Sequence, residues 1–396
     1  MNHSASNPRC FRRTLRQALA VACAAMCSGC GWLGWGREDG VHAETAGGAS
    51  ETVREVEPAH SEPSPQQDTV ASIDPQPAKA AEPSRPPAGR SEEPARRAEK
   101  PKPKTAQEFV ERAEAAILEG REDEALALLA QAIEKNPALT VAHMGMGDIY
   151  RMRGDYAEAE SKYRRAAELE PRNFDAQYYH GLMLQLLDRL GEAVRAYLRA
   201  LAIRPDDFNA NLNLATAYIQ LKEASQSLPY AKRAVELNPT SGPAHANLGA
   251  VYSELGRHQE AVAEYEAAAE LMELSPQLML NLADSLGKIE RYQEMVYTLE
   301  ALLKIEVSAG AHERMGFAQF KLRNYTAAQE HFRTSLALDE NYYPALNGLG
   351  VCLLNEWITG GKQNNTTRDE AVSLLRKSLR INRDQPRIVE LLSRYG

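Results

Sequence analysis

Beyond residue 30 the chain has one cysteine, Cys352; the other four are Cys10, Cys23, Cys27 and Cys30. An internal disulfide framework is therefore excluded for the bulk of the sequence. Long apolar runs are also missing: the longest near the start, Ala18 to Cys27, has ten residues, too few to span a bilayer as a helix. Charge of one sign is scarce as well. A net charge of −8 over 396 residues, without basic clusters on a helical face, gives no reason to expect a nucleic-acid partner. The sequence contains no glycine-rich phosphate loop, no serine on a strand-turn-helix motif and no paired cysteines beyond residue 30. With 43% hydrophobic and 25% charged residues, a sizeable core is nevertheless available.

The first thirty residues are ordered by chemistry. Arg9, Arg12, Arg13 and Arg16 precede the apolar run, which ends in Cys27-Ser28-Gly29-Cys30. This order resembles a bacterial lipoprotein signal, with residues 1–29 as signal peptide and Cys30 as the acylated residue. Cys23, after Ala20-Val21-Ala22, is the alternative site, and Phe11-Arg12-Arg13-Thr14-Leu15-Arg16 resembles a twin-arginine export signal. Residues 30–104 show no sustained hydrophobic period, and eleven of the 21 prolines fall between Pro58 and Pro103. Proline gives neither helix nor ladder a donor, so a disordered tether of about 50 Å is expected there.

The remainder repeats. Pro137, Pro171, Pro205 and Pro239 are spaced 34 apart, and a small residue stands 24 positions before each: Ala113, Gly147, Gly181 and Ala215. The frame continues with Gly249, Ala283, Gly316 and Gly350. Apolar residues at helical spacing flank these positions, as Leu248 and Tyr252 flank Gly249. One helical hairpin per period follows, with small residues where its two helices (A, then B) approach. A single hairpin cannot bury its apolar face, so neighbours must stack.

Leu248-Gly249, Tyr252, Gly256, Ala261, Tyr265 and Ala268 stand where the tetratricopeptide repeat carries its signature, and the chain resembles that family. Eight repeats are expected over 105–385, starting at Ala106, Thr140, Phe174, Phe208, Gly242, Pro276, Ala309 and Tyr343, with a capping helix over 386–396. The resemblance implies an all-α, right-handed superhelical solenoid with a concave groove lined by the A helices. Glu273, Val307, Glu340 and Arg383 replace the repeat's proline in later copies, and Pro229 lies early in the fourth B helix. About nine extra residues within Glu356 to Asp369 are expected to form a loop that carries Trp357, packed back on its hairpin.

Carried over from the family, the ligand-facing positions are Tyr178, Tyr179, Leu182 and Gln185, then Asn209, Asn213, Thr216 and Gln220. Next come Asn247, Ser253 and Glu254, then Gln277, Asn281 and Asp284, then Arg314, Phe317 and Phe320. Asn213, Asn247 and Asn281, 34 apart, are expected to form a solvent-facing ladder for an extended peptide. His143, His245 and His312 share one repeat position and read as packing residues rather than metal ligands. No catalytic residue, cofactor or metal is expected.

The layout implies a non-enzymatic, membrane-anchored scaffold facing the periplasm of a bacterial envelope. Its ligand would be a protein or peptide, in the manner of lipoproteins that assist pilus or secretin assembly. The alternative is an accessory subunit of a glycosyltransferase or other enzyme complex. The repeats also resemble those that precede the catalytic domain of O-linked N-acetylglucosamine transferases, but no such domain is expected here.

Overall fold

The computed structural model describes residues 105–396. The signal peptide, Cys23, Cys30 and the tether lie outside them. The described residues are all-α, with no strand among them, and fall into two compact units, 105–237 and 238–396.

The first unit holds four hairpins. They are α1 (Ala106–Leu118) with α2 (Glu122–Lys135), and α3 (Thr140–Arg153) with α4 (Tyr156–Leu169). Then come α5 (Phe174–Leu186) with α6 (Leu190–Ile203), and α7 (Phe208–Gln220) with α8 (Ala224–Leu237). The second unit holds α9 (Gly242–Glu254) with α10 (His258–Leu271), and α11 (Pro276–Lys288) with α12 (Tyr292–Leu302). It continues with α13 (Ala309–Lys321), α14 (Tyr325–Leu338), α15 (Tyr343–Thr359), α16 (Asn365–Ile381) and α17 (Pro386–Tyr395). Every A helix begins at the residue where the sequence frame begins a repeat.

Local chemistry sets these boundaries. Thr105, Asn173, Asp207, Ser241, Ser275 and Ser308 each cap an A helix by accepting from the backbone N–H three residues on. At the other end each A helix closes through a left-handed residue, Gly154 at φ 81° or Asp188 at φ 57°. The next residue's N–H then reaches back five positions, as Arg189 does to Leu184 at 2.8 Å. Pro229 lies within α8, which runs through it.

Packing between A and B follows a volume rule. Where B carries a buried ring, A carries glycine: Gly147 with Tyr163, Gly181 with Tyr197, Gly249 with Tyr265, Gly316 with Phe332. A Cβ on any of these glycines would lie 2.7–2.8 Å from its ring. Where B carries Leu129, Ala231 or Leu299 at that step, A carries Ala113, Ala215 or Ala283. Ring plus glycine and leucine plus alanine fill similar space, as close-packed interiors require; Ala215 with Ala231 and Gly350 with Leu375 depart from the rule.

The turns between repeats are pinned by the fourth residue of the A helix. His143, Gln177, Asn211 and His245 each reach the carbonyl of the proline six residues back, at 3.1, 3.4, 2.9 and 3.0 Å. Where the frame holds Glu273, Val307 or Glu340 instead, that fourth residue is Met279, His312 or Leu346. Met279 and Leu346 carry no donor there, and His312 turns to His331 at 3.1 Å instead.

The expected loop around Trp357 is mostly helix. The extra residues lengthen α15 and α16 to 17 residues each and leave only 360–364 between them. Trp357 belongs to α15 and packs back: its ring meets Tyr395 edge-on at 6.1 Å. Ile388 and Leu391 of α17 are buried, and the amide of Gln385 ties α17 to Asn347 and Ser378.

Candidate functional site: the faces of the A helices

In the first unit the residues carried over from the family are brought together. Tyr178 and Tyr179 of α5 are half-buried, with ring centroids 5.2 Å apart and planes at 67°. Phe174 stacks on Tyr178 at 5.8 Å and Tyr163 on Tyr179 at 5.4 Å, so both rings have backing. Arg151 lies over Tyr179, 5.3 Å from its centre. Asn213 of α7 donates to the Tyr178 hydroxyl at 3.0 Å. Tyr197 donates to Gln185 at 2.9 Å, and Gln185 donates to Gln220 at 3.0 Å. Asn209 is exposed at the start of α7. Apart from buried His180, Asp175 is the only acidic or basic side chain on α5 and α7. The surface is thus aromatic and amide-rich, suited to a neutral extended chain whose amides pair with Asn and Gln.

In the second unit Asn247, Arg314, Phe317 and Phe320 are buried, Ser253, Gln277, Asn281 and Asp284 are partly buried, and Glu254 is exposed. Asn247 is only 4% exposed, Arg314 7% and Phe317 5%. Arg314 grips Asp284 in a bidentate pair, Nε to Oδ1 at 2.6 Å and Nη2 to Oδ2 at 3.0 Å. Phe317 meets the edge of Tyr292 at 6.1 Å, with the Lys321 ammonium 5.6 Å from its ring. Gln277 donates to Asn281 at 2.8 Å.

The solvent-facing ladder of asparagines is corrected accordingly. Asn213 and Asn281 are partly buried and engaged within the protein, Asn213 donating to the Tyr178 hydroxyl at 3.0 Å and Asn281 accepting from Gln277 at 2.8 Å. Asn247 is buried outright.

Burial controls the ionisable groups. It holds the phenols of Tyr163, Tyr197 and Tyr265 above their usual range, and it raises the Asp148 carboxyl against the bond from Tyr163 at 2.6 Å. Burial also lowers His143, His180, His258, His312 and His331. His312 and His331 face each other Nδ1 to Nδ1 at 3.1 Å, so one ring donates and the other accepts. Buried Cys352 is pushed up to about 12, which keeps it a thiol and a poor nucleophile.

A pH dependence follows. A histidine with a depressed folded pKa is fully accommodated above its unfolded value, about 6.5. As pH falls through that value the unfolded chain takes up protons first, so stability declines. Asp148 and Glu266, raised by burial, act oppositely at lower pH. The urea midpoint is expected to be lower at pH 5.5 than at 7.5, and His312→Gln/His331→Gln to reduce the difference. A midpoint unchanged or higher at pH 5.5 would contradict the burial of these rings.

Among the described residues no group of three or more His, Cys, Asp or Glu is placed to hold a metal ion. No helix among them is long and apolar enough to cross a membrane.

Three tetratricopeptide-repeat models match the sequence, over residues 144–210, 208–241 and 230–263. No curated protein matches it. Among solved structures, a tetratricopeptide repeat protein from Parabacteroides merdae is 18% identical, with 63% of this chain and 98% of that one covered and a TM-score of 0.44. Pseudomonas aeruginosa pilF is also 18% identical, covering 52% of this chain and 95% of its own, with a TM-score of 0.44. The APC/C hetero-tetramer Cut9-Hcn1 aligns at 18% identity over 72% of this chain and 55% of that one, with a TM-score of 0.46.

Proposed function

We propose that this chain, whose residues 144–263 carry tetratricopeptide repeats, is a non-catalytic scaffold that holds a protein segment on the A-helix face of residues 174–220. The observation that carries the reading is the half-buried Tyr178–Tyr179 pair on α5, with exposed Asn209 on the next A helix, α7. Rigid rings give contact area at little entropic cost, and amides match a peptide backbone. Arg314, Asp284 and Phe317 have no part in this site, since they serve the interior.

The scaffold works at a bacterial envelope, held by an acylated Cys30 and facing the periplasm. The support is the order of charge, apolar run and small residues before that cysteine. One acyl chain binds a membrane weakly, so firm attachment requires more than one on the same residue. Cys30→Ser is expected to move the protein from the membrane to the soluble fraction, or to stall its processing. Unchanged fractionation and unchanged mature mass in that variant would remove the anchor from the account.

A further inference from the structure

The net charge of −8 over the whole chain conceals a local reversal. Residues 376–389, from the second half of α16 into α17, carry five basic side chains and one acidic one, Asp384. Arg376 and Arg380 lie about one helical turn apart on the exposed face of α16, and Arg383 and Arg387 follow around the corner into α17. All four are exposed, and none has an ion pair or a side-chain hydrogen bond among the described residues. The acids earlier on α16 are engaged elsewhere, Asp369 with Arg368 at 2.8 Å and Glu370 with Arg333 at 3.2 Å. Helix electrostatics accounts for Arg380, in the last turn of α16. It does not account for Arg387, which stands in the first turn of α17 against the positive end of that helix. The corner itself is held firmly. The Gln385 amide, 7% exposed, donates to the Asn382 carbonyl at 2.7 Å and to Ser378 Oγ at 3.0 Å.

We infer that this corner is a docking surface for an anionic phospholipid membrane. Two apolar side chains stand among the arginines, Ile381 at 45% exposure and Val389 at 50%. Guanidinium groups interleaved with exposed aliphatic side chains suit the headgroup region: the cations meet phosphates while the alkyl groups enter the acyl boundary. An acidic protein segment would answer the charge and leave Ile381 and Val389 in water. A nucleic acid would call for exposed rings on which bases stack, and Tyr395, the aromatic residue of α17, packs on Trp357. Four guanidinium groups close to an anionic surface raise partitioning by up to about a thousandfold, and salt weakens the attraction. The inference does not depend on what occupies the A-helix face of residues 174–220.

The experiment places an environment-sensitive fluorescent residue at Val389 of the full chain, with the exposed B-helix position Arg195 as the control. The purified chain is mixed with vesicles of phosphatidylcholine alone, or with vesicles in which about 30% of it is replaced by phosphatidylglycerol. Emission from position 389 is expected to shift to shorter wavelength on the anionic vesicles only, and to return as salt rises from about 50 to 500 mM. Position 195 should stay unchanged in both. Arg376→Gln/Arg380→Gln/Arg383→Gln/Arg387→Gln should abolish the shift, with a thermal melt to check folding. Arg387→Gln alone should reduce the shift while leaving the melt unchanged or higher, because it relieves the end of α17. The basic residues between 85 and 104 are the same in every variant and cannot produce these differences. The same emission on both vesicle types would overturn the inference, and so would a shift that survives the four arginine substitutions in a folded chain. A shift produced by hexaglutamate peptide and not by anionic vesicles would assign the corner to an acidic protein segment and also overturn it.

Discussion

Replacing Arg314 with alanine is expected to destabilise the second unit by about 3–5 kcal/mol, the range for breaking a buried ion pair. Arg314 is 7% exposed. It holds Asp284 through a bidentate bond, and its charge faces Glu313, which is 0% exposed. Without the guanidinium, Asp284 loses its bidentate partner and buried Glu313 its cationic neighbour. Asp284→Asn should cost less, because the Asp284 side chain is 35% exposed and water can serve it. Arg314→Lys should fall between, since an ammonium keeps the charge but not the planar fork. Urea unfolding of the three variants gives the order. If Arg314→Ala costs less than about 1 kcal/mol, the pair is ordinary surface chemistry, and Arg314 returns to the ligand-facing set that the family resemblance implies.

Gly181→Ala is expected to change sign with its neighbour. Alanine in a helix interior is favoured over glycine by about 1 kcal/mol. Here the new Cβ would lie 2.8 Å from the ring of Tyr197, a side chain with 0% exposure and no room to retreat. Overpacking of that kind costs about 1–3 kcal/mol, so the single substitution should be net destabilising. In a Tyr197→Leu background the pair becomes alanine with leucine, the combination already present as Ala113 with Leu129 and Ala283 with Leu299. There Gly181→Ala should stabilise by up to about 1 kcal/mol. Tyr197→Leu alone loses ring volume and the bond to Gln185 and should cost about 3 kcal/mol. A double-mutant cycle reads the coupling directly. Stabilisation by Gly181→Ala in both backgrounds would mean that glycine is not set by the ring.

The hairpins could be read from the sequence because their causes are local and periodic. The 34-residue frame, the small residues and the caps all recur, and each A helix starts where the frame places it. The site was less legible. A family position gives the helix face of a side chain but not what it meets on the preceding hairpin. Asn213 and Asn281 were therefore expected in solvent, whereas Asn213 meets the Tyr178 hydroxyl and Asn281 meets Gln277. Asn247 shares their spacing and is buried. The Trp357 segment was read as a loop because insertions break a frame. Yet Val351 to Thr359 contains neither glycine nor proline, and α15 continues until Gly360. Tyr178 and Tyr179 are both half-buried, as adjacent aromatics on one helix cannot both enter the hairpin core.

The central claim is that a partner lies on the A-helix face of residues 174–220. The direct measurement is site-specific photo-crosslinking of the full chain in its native envelope. A photoreactive residue is placed at Asn209, Leu182 or Gln220, and, as controls, at the exposed B-helix positions Arg165, Arg195 and Lys232. The account predicts one discrete protein adduct shared by the three A-helix positions and absent from the three controls. Adducts from the B-helix positions with none from Asn209, Leu182 or Gln220 would contradict it.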